Sequence, residues 1–178
     1  MGIPTLISTS TASNAASVSI TSGIDSTYDE YMFVFTDINP ASDEKSLTFQ
    51  FNAAGGSGYN ETLTTTYFQS LHHESDAATN FLYETDSDQA QATGFQRTAF
   101  AVGSGSNSSM AGILHLFSPS STTYVKHFYY RGGVKTNTPS SRDVFVAGYI
   151  NTTSAIDEIQ FKMDSGNFDG VIQMYGIS

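Results

Sequence analysis

Short runs in which apolar and polar residues alternate are the feature that most limits the fold of this chain. In SLTFQFN, residues 46–52, the side chains of Leu47, Phe49 and Phe51 alternate with polar ones, and DEIQFKM, residues 157–163, repeats the pattern. Successive side chains of a β-strand point to opposite faces, so a period of two predicts strands with one buried face. Runs rich in β-branched and aromatic residues predict further strands at 30–38, 61–70, 110–117, 122–130, 143–150 and 168–177.

The spacing of these runs predicts an all-β fold. Gly, Asn, Asp, Ser and Pro separate the runs, and the best stretch of helix formers, residues 87–96, has no apolar stripe and contains Gly94. Many short strands with few helices are typical of a single antiparallel β-sandwich or jelly-roll-like domain. We assign that domain to residues 16–178, with residues 1–15 as an N-terminal arm or an extra edge strand.

Two segments give more specific expectations about burial. EYMFVFTDI, residues 30–38, is apolar at both alternating sets of positions, which predicts a central strand buried on both faces. The last run, FDGVIQMYGI, predicts a closing strand with Phe168, Ile172 and Met174 towards the core and Tyr175 on the opposite face.

Two turn sequences predict hairpins. FSPSSTT, residues 117–123, separates the runs 110–117 and 122–130 by a few residues, so we expect those strands to pair. DSGNFDG, residues 164–170, separates the last two runs in the same way and predicts a second hairpin.

The charge composition excludes several classes of partner. The chain has 17 acidic and 7 basic residues, a net charge of −10, and its basic residues are scattered. Nucleic acids and anionic membranes require clustered Lys and Arg, so we expect neither partner. No apolar run approaches the about 20 residues that span a bilayer. Charged residues make up 13% of the chain, against about 25% in ordinary domains, and such uncharged polar surfaces are typical of secreted or assembled β-proteins.

Several groups of residues resemble catalytic or metal sites but lack a full set of partners. His72, His73, Glu74 and Asp76 could offer ligands, yet adjacent histidines on a strand point to opposite faces. The carboxylates of residues 84–88 lack the pattern of an EF-hand calcium loop. The chain has no cysteine for a thiolate site. We therefore predict no metal and no cofactor.

Two histidines and a serine-rich loop are the residues that come nearest to a site for nucleophilic catalysis. His115 and His127 lie on the two strands of the first predicted hairpin, where they could face each other. The nearest approach to a nucleophile motif, GSGSNSS at residues 103–109, has no helix after it. We interpret both histidines as ordinary strand residues and predict no catalytic residue and no enzyme.

Aromatic residues are the remaining candidates for a functional role, through contact with a partner. Phe and Tyr account for 13 and 10 residues, so some must lie outside the core. Tyrosine is common both in sandwich cores and in subunit contacts. The residues that we expect to contact partners are Tyr59, Phe81, Tyr83, Tyr129 and Tyr130.

Three stretches resemble a family of small β-sandwich proteins from the virions of tailed, chiefly marine, bacteriophages. They are SVSITSGIDSTYDEYMFVF, LTFQFNAAGGSGYN and AGYINTTSAIDEIQFKMDSGNFDGVIQMYGIS. The similarity extends over residues 16–178 and concerns strands and turns, without catalytic signatures. Related domains occur in tail fibres, other appendages and decoration proteins.

The resemblance implies a non-enzymatic structural component of a virion, made in the host cytoplasm and acting by assembly. Appendage proteins usually have a long N-terminal anchor or shaft, whereas residues 1–15 alone precede the first family-like strand. A small surface or decoration subunit of the head or tail is therefore expected. Its expected partners are other capsid or tail proteins and further copies of itself, for instance in a trimer. The alternative is a host-receptor or glycan-binding module of a tail appendage.

Overall fold

The structure, a computed structural model, describes residues 2–178 and contains β-strands joined by turns and loops. Within this range thirteen strands are formed, all paired in antiparallel fashion. They are β1 (Thr5–Ala15), β2 (Val18–Ile20), β3 (Glu30–Pro40), β4 (Leu47–Ala53), β5 (Leu63–His73), β6 (Thr79–Tyr83), β7 (Ala90–Ala92), β8 (Gln96–Arg97), β9 (Met110–Phe117), β10 (Lys126–Lys135), β11 (Ser140–Ile150), β12 (Ile156–Met163) and β13 (Phe168–Ile177).

The strands of the described range form two sheets of unequal size. The larger, nine-stranded sheet has the order β1-β13-β3-β9-β10-β11-β5-β6, with β7 also paired to β5, and the smaller has the order β2-β12-β4-β8. Aromatic rings join their facing surfaces: Phe35 lies 5.2 Å from Phe161, and Phe49 lies 5.3 Å from Phe128, between ring centroids. The predicted all-β antiparallel sandwich is confirmed. No helix within residues 2–178 is long and apolar enough to span a membrane.

One predicted hairpin is confirmed and the other is wrong. β9 and β10 pair across the turn that follows Phe117. β12 and β13 do not pair, because β12 lies in the smaller sheet and β13 in the larger. The connecting turn is held by contacts to the segment before β4: Asp164 N donates to Ser46 O, and Ala41 N donates to Asn167 O. These contacts direct the chain from one sheet to the other.

The burial of β3 and β4 departs from the sequence expectation in opposite directions. On β3 the inward side chains, including Phe33 and Phe35, are fully buried, while Met32 and Val34 on the other face are only half-buried. β4 is buried on both faces although its sequence alternates. Its polar residue Gln50 lies under a loop, and its Nε2 atom is within hydrogen-bonding distance of the carbonyl oxygens of residues 61, 93 and 94.

The two ends of the described chain lie side by side at one edge of the larger sheet. β1 is the edge strand and pairs with β13, so the edge-strand alternative for the N-terminal segment is the one observed, with Met1 outside the described residues. In β13 the side chains of Phe168, Ile172 and Met174 are fully buried and Tyr175 lies on the opposite face, as predicted. The closing strand is therefore an internal part of the core.

The folded protein is expected to lose stability at alkaline pH because it buries two tyrosine phenols, those of Tyr67 and Tyr130. Burial raises the pKa of Tyr67 and of Tyr130 well above the ordinary value of 10.0. Both phenols stay neutral in the folded protein, whereas in the unfolded chain they ionise near pH 10. The stabilisation that the two neutral phenols give to the folded state is therefore fully present below pH 10. Above pH 10 the free energy of unfolding falls by about 1.4 kcal/mol per pH unit for each phenol.

The variant Tyr67→Phe tests this linkage. The Tyr67 hydroxyl is buried without a hydrogen-bond partner, so its removal is expected to leave stability at neutral pH nearly unchanged. In urea denaturation at about pH 11 the variant should be more stable than the wild type by about 1.4 kcal/mol. Tyr124→Phe, at a residue that is 73% exposed, serves as the control. If wild type and Tyr67→Phe lose stability equally at alkaline pH, the buried phenol of Tyr67 is not a cause of that loss.

Candidate interaction surface

The outer face of the larger sheet, which is turned away from the smaller sheet, is largely apolar. Outer faces of antiparallel sandwich sheets are normally polar. Here two adjacent rows of side chains cross the sheet, one residue per strand, and we call them together the apolar face. The first row consists of Leu6, Tyr175, Met32, His115, Tyr129, Ala147 and Thr66. The second consists of Thr9, Gln173, Val34, Ile113, Arg131, Phe145, Phe68 and Tyr83.

Two clusters of stacked rings form the centre of the apolar face. In one, His115 lies parallel to Tyr129 with 4.5 Å between ring centroids. In the other, Phe68 and Phe145 stack at 4.8 Å, and the guanidinium of Arg131 lies 4.7 Å from the centroid of Phe145. Stacking of this kind fixes the side chains in place, because each ring restricts its neighbour. The apolar face is therefore a preformed surface.

The apolar face has almost no net charge. The one permanently charged residue of the two rows is Arg131, and its Nη2 atom lies 2.9 Å from Oδ2 of Asp143 in the neighbouring row. His115 in turn is hydrogen-bonded through Nδ1 to the carboxylate of Glu30. The excess of acidic residues in the chain thus lies mainly elsewhere. Depletion of charge together with enrichment of aromatic residues and Arg is typical of protein interfaces.

Three of the aromatic residues predicted to contact partners are exposed. Phe81 is 69%, Tyr83 53% and Tyr129 44% exposed, and Tyr83 and Tyr129 belong to the apolar face. Phe81 extends the second cluster, at 5.5 Å from Phe68. Tyr59 lies apart from them: it is half-buried and its hydroxyl donates a hydrogen bond to Glu158. That these residues contact partners stays a prediction.

The prediction for Tyr130 is wrong, because this residue lies in the core. Its side chain is 1% exposed and packs against Phe35 with 6.1 Å between ring centroids. The phenol crosses Gly132 so closely that a Cβ atom there would lie 1.8 Å from its oxygen. Glycine at this position leaves the space in which the ring lies. Residues 129 and 130 are neighbours on one strand and necessarily point to opposite faces.

The histidines do not form the arrangement that the sequence suggested. His115 pairs with Tyr129 across the β9–β10 hairpin, and His127 pairs with Tyr149 on β11, so the two histidines do not face each other. His115 has a carboxylate partner, Glu30, and an aromatic neighbour, and it is part of the apolar face.

The other ligand-like segments make hydrogen bonds within their own loops. His72 Nε2 lies 3.0 Å from Asp76 Oδ1, and His73 Nδ1 lies 2.7 Å from the hydroxyl of Ser75. In the 84–88 segment, Asp88 accepts a hydrogen bond from Tyr83. Within residues 2–178, no group of three or more His, Asp or Glu side chains is arranged to hold a metal ion.

No protein-family model, curated protein or solved structure matches the chain.

Several members of the apolar face were not singled out from the sequence. Phe68, Phe145 and Ile113 lie on strands whose apolar residues occupy both alternating sets of positions, which sequence reasoning assigns to a buried core. The signal that could have identified them is the excess of apolar residues over what one inner face accommodates. It becomes specific only when the register of the strands is known.

Proposed function

We propose that this chain is a non-enzymatic structural subunit of a bacteriophage virion that acts by assembly, through its apolar face. The observation that supports this most is the pair of apolar rows, which cross seven and eight strands of the sheet. Contiguous exposed apolar surface of this kind marks an interaction site in soluble proteins. The resemblance of the sequence to small virion β-sandwich proteins supports the virion context.

A second copy of the chain is the partner that best fits the apolar face. Copies with a net charge of −10 repel one another over most of their surface. The apolar face is the exception, since the charge of Arg131 is neutralised by Asp143 within the same molecule. Two such sheets can pack face to face in the manner of the layers of a sandwich. Association then covers the rings that the isolated chain leaves exposed.

Antibody labelling of purified phage particles tests the virion role. We expect many copies of the protein distributed over the head or along the tail. Protein present at less than one copy per particle and removed by a salt wash would contradict a structural role. Labelling confined to a few copies at the tail tip favours the second candidate described below. Absence of the protein from particles would contradict both.

A second candidate function is binding of a host-surface glycan, favoured by a groove on the outer face of the larger sheet. The groove has a volume of about 410 Å³ and lies between Tyr129 and Tyr149, with Ala147 and Gly148 also lining it. Aromatic rings beside small residues offer a flat apolar surface on which a sugar ring could stack. The exposed ring of Phe81 lies on the same sheet.

Binding to host cells separates the two candidates. If the glycan function is correct, labelled wild-type protein binds the cells and Tyr129→Ala reduces the binding at least about tenfold, as expected for an interface aromatic. Tyr124→Ala, which removes an exposed ring outside the groove, should have no effect. Failure of the wild type to bind any host surface would eliminate this candidate and leave the assembly proposal intact.

A further inference from the structure

A half-enclosed pocket of about 460 Å³ lies at one end of the larger sheet, away from the apolar face. Its lining comes from the start of β11, the end of β5 and the turn after it, the β10–β11 turn, and the loops after β3 and β8. The residues that matter for its chemistry are Arg142, Phe100, His73, Thr136, Thr138 and Asn137. The pocket thus combines one permanent positive charge with an aromatic ring and several hydrogen-bonding groups.

Arg142 is held in place but makes few of the hydrogen bonds that a guanidinium can form. Its guanidinium carbon lies 4.8 Å from the ring centroid of Phe100, and Nη1 donates a hydrogen bond of 3.3 Å to Gln69. Its Nε atom is buried without a partner. Burial lowers the pKa of Arg142, because it disfavours the charged form, yet an arginine remains protonated at neutral pH.

No carboxylate of the described residues forms a direct ion pair with Arg142, although the chain has 17 acidic residues. The carboxylate that acts on its charge is that of Glu84, which accepts a hydrogen bond from Gln69. Arg131 on the outer face of the same sheet is paired with Asp143. A half-buried guanidinium without an anion is unfavourable unless a ligand supplies one. The carboxylate of Glu44 also lines the pocket, but it accepts a hydrogen bond from Asn137 and makes no ion pair with Arg142.

The remaining lining suits a ligand with hydroxyl groups. Thr138 provides a hydroxyl group and Asn137 an amide whose Nδ2 also donates to Glu44, and Leu71 and Phe100 provide apolar walls. The hydroxyl of Thr136 is buried and donates to the carbonyl oxygen of Thr138. Apolar walls with a few placed polar groups are typical of small-molecule sites. A pyranose ring has apolar C–H faces and hydroxyl edges, and it matches both kinds of wall.

We propose that this pocket binds an acidic sugar of the hexuronate class, with the carboxylate on Arg142 and the ring hydroxyls on the β10–β11 turn. Charge-assisted hydrogen bonds between Arg and a carboxylate are roughly twice as strong as neutral ones and provide the selectivity. The site lies apart from the apolar face and does not depend on the proposed assembly role.

Titration of the ¹⁵N-labelled protein with D-glucuronate, D-glucose, acetate and inorganic phosphate, followed by amide chemical shifts, tests the proposal. We expect glucuronate to bind at least about tenfold more tightly than glucose or acetate, with shifts centred on residues 136–142. Arg142→Gln should abolish the preference for glucuronate over glucose. Lys162→Gln is the control, because it removes a positive charge from β12 in the smaller sheet, outside both the pocket and the apolar face, and should leave binding unchanged.

Several results would overturn the proposal. Equal affinity for glucuronate and glucose would show that the charge of Arg142 is not used. Acetate or phosphate binding as tightly as glucuronate would show an unspecific anion site and no sugar site. If the spectrum of Arg142→Gln shows loss of folding, Thr138→Val replaces it as the test: an unchanged affinity for glucuronate in that folded variant would refute the assigned contacts.

Discussion

Deletion of the last eight residues, 171–178, is expected to abolish folding. These residues form most of β13, which lies between β1 and β3 in the larger sheet. Their removal takes away most of the pairing of β1, leaves β3 paired on one side only, with β9, and removes the fully buried side chains of Ile172 and Met174. Truncation of one such side chain to Ala typically costs about 2–5 kcal/mol, against a total stability of about 5–15 kcal/mol for a domain.

Size-exclusion chromatography and an amide NMR spectrum of the truncated chain provide the measurement. We expect aggregation or a collapsed spectrum without dispersed signals. The matched control is Gln173→Ala, a change on the outer face of the same strand, which should retain the wild-type spectrum. A soluble, monodisperse truncation with dispersed signals would show that β13 is dispensable.

Substitution of Phe145 by Asp is expected to convert the assembled protein into a monomer. Phe145 stacks on Phe68 and under Arg131 at the centre of the second ring cluster, so a carboxylate there must be desolvated when a second copy packs against it. Loss of a central aromatic anchor costs 2 kcal/mol or more in many interfaces, which corresponds to at least about a 30-fold rise in the dissociation constant. The side chain is only half-buried in the single chain, so the fold should persist.

The control for this variant is Tyr124→Asp, which places the same charge at an exposed aromatic residue off the apolar face. Both variants should give wild-type circular dichroism and thermal unfolding within a few degrees. Only Phe145→Asp should shift the sedimentation coefficient towards that of the single chain. If both variants shift the sedimentation coefficient equally, the added negative charge, and not the loss of Phe145 from the apolar face, causes the dissociation.

The local structure could be predicted from the sequence because it depends on neighbouring residues. Alternation identified β12, and the runs 110–117 and 168–177 coincide with β9 and β13. The same rule assigns residues 129 and 130 to opposite faces, so it could have shown that only one of the two tyrosines is available to a partner. The choice between them required the register of β10 against its neighbours.

The long-range arrangement could not be predicted because it depends on contacts between distant segments. Whether residues 164–167 close a hairpin or lead to the other sheet is decided by hydrogen bonds to residues 41 and 46, which local turn chemistry does not specify. The same holds for the Arg142 pocket: Phe100 lies in a loop far from Arg142 in sequence, and the bridges that Val102 of that loop makes to Lys45 and Thr136 bring it there.

Sedimentation velocity of the purified protein tests the central claim, that the apolar face is covered by a second copy of the chain. Over a concentration range from about 1 to 100 µM, we predict a species with a mass that is a multiple of 19.2 kDa, whose proportion grows with concentration. A single species of 19.2 kDa at every concentration would contradict the account.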